Sequence, residues 1–381
     1  MPVSRMRRSL YVLTVALAAS LALSCGKPTI KIGFSGELSG ARSDLGAQTR
    51  NGAQLAVEEI NRAGGIANRQ IELIVRDDRG TPEGAVAADS ELVEAGVVAI
   101  VGHATSQQTL AAYHVTEKSG TILFSPSAST PELSGLKDHF FRILVTTEAE
   151  AYVTAKHIFE QRDISDMAIL YDSGNTEYAR PLISAIKEEL PKYGGRLSAE
   201  LALLPDNPAD VTDRLAELKR LGPESIYIIA SPSDAAFVAQ RILLDGWQPP
   251  LFAAAWAFSD KVIKDGGRAV EGMRIIVVGL PGTPSPRQRQ FSAQYKERFG
   301  IEPKLVDDNA FDAVSLLAVA LEKTKGKATD LAHELLKIRG FEGVSGTINI
   351  DSHGEGIVKR EWSVMAIEDG RFASVATLQE Q

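Results

Sequence analysis

Short apolar runs alternate with stretches of helical periodicity along most of this chain, and that alternation restricts the fold more than any other feature. Residues 30–34 alternate in polarity and stop at glycine-rich residues, as a strand does. Between residues 48 and 63, Ala53, Ala56, Val57 and Ile60 fall on one helical face, and Gly64-Gly65 ends it. Residues 71–76 read as a second strand, and Pro82 opens a helix that runs to about Ala95. Residues 97–101 are all apolar, the signature of a strand buried on both faces. A helix over 106–118 and a strand over 121–124 complete the first series. A second series follows, with strands over 167–171, 197–203, 225–230 and 251–254 and helices over 179–190, 211–221 and 235–244. Each series predicts a parallel sheet covered on both sides, so the fold class is α/β with two doubly wound lobes. The length of 381 residues suits two cores.

The first 24 residues are of another kind. Arg5, Arg7 and Arg8 make a basic start, and residues 10–23 are apolar apart from Thr14 and Ser20. That segment reads as an export signal, because it is too short and too early for a membrane span. It ends at Leu21-Ala22-Leu23-Ser24-Cys25-Gly26, which holds the chain's one cysteine. A small residue before a cysteine at the end of an apolar run resembles the bacterial lipoprotein cleavage box. Cys25 would then be the first mature residue and carry lipid. The alternative is a plain signal-peptidase site beside a free thiol, a liability in an exported protein. No disulfide can form within the chain, so the fold must stand on its cores alone. Removing the signal takes three Arg from the 41 basic residues and none of the 49 acidic ones, leaving a net charge of −11. That balance argues against nucleic acid or anionic lipid as a partner. The lipid would be the only membrane attachment, and the protein is expected to be a monomer.

Several stretches together resemble the periplasmic binding proteins for leucine, isoleucine and valine. They are Lys31-Ile32-Gly33-Phe34-Ser35-Gly36-Glu37-Leu38-Ser39-Gly40, Asn51-Gly52-Ala53, Glu59-Ile60-Asn61-Arg62-Ala63-Gly64-Gly65-Ile66 and Asp77-Asp78 with Pro82. Val101-Gly102-His103, Ser125-Pro126-Ser127-Ala128-Ser129-Thr130-Pro131-Glu132-Leu133, Tyr171-Asp172 with Tyr178, Glu271-Gly272 and Phe311-Asp312-Ala313 extend the likeness over most of the mature chain. The resemblance implies the type I solute-binding fold, two lobes joined by three hinge crossings. On this chain the crossings fall near residues 146, 279 and 357. One lobe then takes 28–146 plus 280–357, and the other 147–279 plus 358–381.

Open α/β sheets bind ligands at the carboxyl ends of their strands. Two such ends carry hydroxyls, Gly102-His103-Ala104-Thr105-Ser106 and Ser125-Pro126-Ser127-Ala128-Ser129-Thr130. A helix start beside hydroxyls can hold a carboxylate without Arg or Lys. The resemblance places the family's carboxylate grip on Ser106, Ser127 and Ser129. An N-cap at Ser106 and an ordinary turn at Ser127 and Ser129 are the plainer alternatives. It also places Tyr178 over the ligand from the second lobe. Here the chain departs from the family pattern. The glutamate that holds a ligand's ammonium falls on Trp256, an assisting tyrosine on Ser231, and an aromatic near the first turn on Leu45. An indole can hold an ammonium only by cation–π attraction, so Trp256 leaves open an aromatic or aliphatic carboxylate without an amine. Asp234 or Asp260 could supply a carboxylate nearby.

His103 after a buried strand reads as structural. Asp77-Asp78 reads as a polar loop without the partners a metal site needs, and Asp307-Asp308-Asn309 as a helix start. No nucleophile elbow, phosphate-binding loop or zinc-protease motif is present, and no cofactor is expected. The implied protein is not an enzyme. It is an exported substrate-binding lipoprotein that closes its lobes on a small solute for an ABC permease; a sensory module on the same fold is the alternative.

Overall fold

The computed structural model describes residues 28–40, 43–143, 147–162, 164–204, 207–279, 284–358 and 361–378. The signal segment and Cys25 lie outside the described residues, as does residue 146 of the first expected crossing.

The first series folds as β1 (Ile30–Gly36), β2 (Ile71–Asp77), β3 (Ala99–Val101), β4 (Ile122–Ser125) and β5 (Phe140–Ile143). The second gives β6 (Asp166–Asp172), β7 (Arg196–Leu203), β8 (Ser225–Ile229), β9 (Leu251–Ala253) and β10 (Arg274–Val278). Further strands follow: β11 (Phe341–Glu342), β12 (Thr347–Ile350), β13 (Glu355–Val358), β14 (Trp362–Glu368) and β15 (Arg371–Leu378). One sheet has the order β11-β12-β13-β5-β4-β3-β1-β2 and the other β15-β14-β10-β9-β8-β6-β7. Within each, the strands of the βα series pair in parallel. Antiparallel strands extend the outer ends, through β13–β12–β11 in one sheet and β10–β14–β15 in the other. Strand order reverses between β1 and β3 in the first sheet and between β6 and β8 in the second, which creates the crevice where such sheets bind ligands.

The chain passes from one sheet to the other three times. After β5 it enters the helix Thr147–Ala155, whose Ala149 and Val153 pack with Ile276 and Trp362 of the second sheet. After β10 it returns in the helix Pro286–Phe299, which buries Phe291 and Tyr295 in the core of the first sheet with Ile30 and Phe34. The last passage joins β13 to β14.

β3 is shorter than the five-residue apolar run, although Val98 still donates its N–H to the Lys31 carbonyl at 2.9 Å. Ala99, Ile100 and Val101 are wholly buried, as a two-sided strand requires. Asp307 and Asp308 fall in the first turn of the long helix Leu305–Thr324, where acids oppose the helix dipole. That helix packs so tightly on the helix Ser43–Arg62 that a Cβ on Gly52 would lie 2.2 Å from the Asp307 carbonyl oxygen. Neither backbone can yield cheaply. Gly52→Ala is therefore expected to lower stability by about 2 kcal/mol, overriding the gain of about 1 kcal/mol in helix propensity. Urea denaturation of the variant beside the parent measures this; a variant as stable as the parent contradicts it.

Candidate functional site

The loops that leave β3 and β4 lie side by side at the strand-order reversal. Thr105, not Ser106, caps the helix Ser106–Ser119, accepting from the Gln108 N–H. Ser106 is free of that duty. Its Oγ accepts the Ser129 N–H at 3.1 Å and so ties the two loops together. Ser127 ties them again, donating to the carbonyls of Ala104 at 3.0 Å and His103 at 3.3 Å. Ser125 Oγ accepts the Ala128 N–H at 3.0 Å. From outside the turn, Asn309 donates to the Pro126 carbonyl at 2.9 Å, and Arg142 to the Thr130 carbonyl at 2.8 Å. The Ser127 proton is thus committed within the protein, whereas among the described residues no acceptor takes the Ser106 proton.

These loops form one wall of a cavity between the two sheets. Leu45, Ser106, Ser127 and Ser129 line it from the first sheet, and Tyr178 and Trp256 face them from the second. Val277, Val278, Phe258 and Trp362 make the remaining surface largely apolar. The Tyr178 and Trp256 rings meet edge to face, 6.2 Å apart at 84°. Hydrogen bonds bridge the sheets at the rim. Gln107 N–H donates to Asn175 Oδ1 at 3.3 Å, Gln48 Nε2 to Ser259 Oγ at 3.4 Å, and Lys304 Nζ to Asp260 Oδ1 at 2.9 Å.

Two of the anticipated features are placed otherwise. Ser231 does not line the cavity: it caps the helix Pro232–Leu244 and donates to Asp234 Oδ2 at 2.6 Å. Asp234 is therefore occupied outside the cavity, and Asp260 is an exposed rim residue paired with Lys304. The carboxylates in the cavity wall are instead Glu150 and Asp44. Glu150 comes from the helix Thr147–Ala155 and is buried. Both its oxygens take the Tyr178 hydroxyl, at 3.0 and 3.1 Å, and one takes the Ala255 N–H at 3.3 Å. Burial pushes its carboxyl up to about 7, against the pull of those donors and Tyr227. Burial likewise raises Asp44.

The sequence profile of the periplasmic binding protein family matches residues 29–371. This chain belongs to that family. It is 26% identical over 353 residues to the leucine-, isoleucine-, valine-, threonine- and alanine-binding protein of Pseudomonas aeruginosa, covering 92% of this chain and 93% of that one. It is 27% identical over 380 residues to the Leu/Ile/Val-binding protein BraC3 of Rhizobium johnstonii, covering 96% and 99%. Among solved structures it resembles the branched-chain amino acid binding protein LivJ of Streptococcus pneumoniae in complex with isoleucine, at a TM-score of 0.83 and 25% identity over 92% of this chain and 99% of that one. The leucine-binding protein LivK of Thermotoga maritima has the same fold, with a TM-score of 0.84 at 23% identity over 92% and 99%.

In this binding protein His103 lies behind the hydroxyl wall, not in it. It is wholly buried, with Nδ1 2.7 Å from Asp78 and Nε2 3.2 Å from Asp89. Burial opposes its charge, but Asp89 and Asp78 outweigh burial and hold it up at about 10. Asp78 lies in the expected polar loop before Pro82 and is also a buried partner of His103, while Asp77, at the end of β2, accepts the N–H groups of Leu38 and Arg79. Among the described residues no group of three His, Cys, Asp or Glu side chains could hold a metal ion, and no helix is long and apolar enough to cross a membrane.

Proposed function

We propose that this chain is the substrate-binding lipoprotein of an ABC importer, exported, anchored through lipid on Cys25 and monomeric. Its solute is small and bears a carboxylate, an amino acid in the first place. The observation that carries this reading is the meeting of Ser106 and Ser129 at the start of a helix, in a cavity whose opposite wall belongs to the other sheet. The positive end of the helix dipole favours an anion there, and the Ser106 and Ser129 hydroxyls complete its coordination. The names of the relatives, which speak of leucine, isoleucine and valine, support an amino acid.

The solute docks on the first lobe, and the second swings in on the three connections between the sheets. Closure buries the solute against Tyr178 and Trp256 and makes the rim bonds Gln107–Asn175, Gln48–Ser259 and Lys304–Asp260. No bond in the solute is made or broken. A permease reads the closed form. Trp256 and the apolar surface around it favour, as a second reading, an aromatic or aliphatic carboxylate without an amine.

A thermal-shift screen of the mature protein against amino acids, short aliphatic acids and aromatic acids tests this. A solute at 100 times its dissociation constant adds about 2.7 kcal/mol of stability. Ser106→Ala is expected to weaken the best hit by 10-fold or more, roughly the worth of one hydrogen bond to a charged group. Titration calorimetry measures it; parent-like affinity in the variant removes Ser106 from the site.

A further inference from the structure

Glu150 stands in the cavity wall, in no ion pair among the described residues. Its hydrogen-bond partners are the neutral Tyr178 hydroxyl and the Ala255 amide, and the Tyr227 hydroxyl adds a further neutral dipole to its surroundings. Among the described residues no Lys, Arg or His pairs with it. Two buried acids outside the cavity wall, Asp78 and Asp89, by contrast face the His103 ring. A carboxylate taken out of water without a counter-charge is costly, so such a group either takes up a proton or gains a cation from a ligand. The surroundings fit an organic cation. Tyr178 and Trp256 make an aromatic corner on the same wall, and ring faces attract ammonium groups. Asp44 adds a second acid from the opposite lobe. Lys304 is the basic residue among those lining the cavity, and it is engaged by Asp260.

We infer that Glu150 receives the protonated amine of the bound solute, so that the ligand is a zwitterion with its carboxylate on Ser106 and its ammonium on Glu150. The inference rests on the solute-binding reading above and narrows it to amine-bearing acids. It moves the amine site away from the turn after β9, where Trp256 stands, to the helix that follows the first passage between sheets. The ammonium needs the ionised carboxylate. With Glu150 raised to about 7 in the empty cavity, binding displaces a proton at lower pH. Affinity for an amine-bearing acid therefore falls as pH drops below 7, by up to tenfold per pH unit, while an acid without an amine lacks this dependence on Glu150. Tyr178 and Tyr227, which face Glu150, stay neutral because their hydroxyls are raised well above 10 by burial and by Glu150 itself. Asp44 and Lys304 are the charged groups on the far wall.

The test is titration calorimetry of the mature protein at pH 8 with matched probes: L-leucine and 4-methylpentanoate, L-valine and 3-methylbutanoate, L-phenylalanine and 3-phenylpropanoate. The parent is expected to prefer the best amine-bearing probe over its partner by about 100-fold. In Glu150→Gln that ratio should collapse toward one. Equal affinity of the parent for both members of its best pair overturns the inference and leaves carboxylate docking standing. So does a folded Glu150→Gln protein that keeps the preference. If the parent binds neither member of any pair, both the solute-binding reading and this one fall. A second measurement needs no variant: binding of the preferred amine-bearing probe to the parent at pH 6.5, in two buffers of different ionisation enthalpy, should release protons. Absence of proton release overturns the assignment.

Discussion

Replacing His103 with alanine is expected to destabilise the protein by about 3–5 kcal/mol. The substitution strands Asp78 and Asp89, which are 1% and 0% exposed, without the positive charge that lies between them. The cost comes from the two carboxylates left behind rather than from the small cavity. The effect has a pH signature. His103 is raised in the folded protein to about 10, above its ordinary 6.5, so the folded state holds a proton that the unfolded state releases. Its stabilising contribution is complete below about pH 6.5 and is lost as pH rises through 10. Urea denaturation of the parent between pH 7 and 10 should show this decline, and His103→Ala should flatten it. A variant as stable as the parent at pH 7 would mean that the triad carries no net energy. The His103 carbonyl also accepts from Ser125 and Ser127, so the same change disturbs the hydroxyl wall from behind.

Arg142→Ala is expected to cost about 3 kcal/mol of stability and, separately, about tenfold in ligand affinity. Arg142 is 3% exposed. Its Nε and Nη2 meet the two Glu355 oxygens, at 2.7 and 2.9 Å; Nη2 also donates to Ser134 Oγ, and Nη1 reaches the Thr130 carbonyl. One side chain thus fastens β13 to β5 and holds the turn that carries Ser129. Arg142→Lys keeps the charge but cannot make the fork, and should recover only part of either loss. Denaturation reads the first effect and calorimetry the second. Loss of stability with unchanged affinity would show that the turn keeps its shape without Arg142.

The parallel strands of both lobes were legible because each is an apolar run of the right length between turn residues. β1, β2, β4 and β6 to β9 lie within one or two residues of where periodicity puts them. β5 gave no such signal, since Phe140-Phe141-Arg142-Ile143 carries a charge whose burial depends on a glutamate 213 residues away. The C-terminal antiparallel strands were not read, although β12 carries a strand's alternation over four residues. β12 alternates exposed and buried residues, and β15 is largely open to solvent as an edge strand.

The hydroxyl wall could be read because Ser106, Ser127 and Ser129 sit on loops that directly follow apolar strands, and strand order makes such loops neighbours. Ser231 has the same local appearance, yet its hydroxyl is consumed by its own helix cap. Glu150 and Asp44 carried no signal at all. Each is an acid in the first turns of a helix, which in sequence is indistinguishable from a solvated end that opposes the dipole.

The order of strands and helices, the two α/β halves and the hydroxyl-bearing loops were written locally, because backbone periodicity and turn chemistry act over a few residues. Which side chains face each other across the cavity was decided only in three dimensions. Glu150 meets Tyr178 and Tyr227 through the packing of distant segments, and burial there, not residue type, sets its charge.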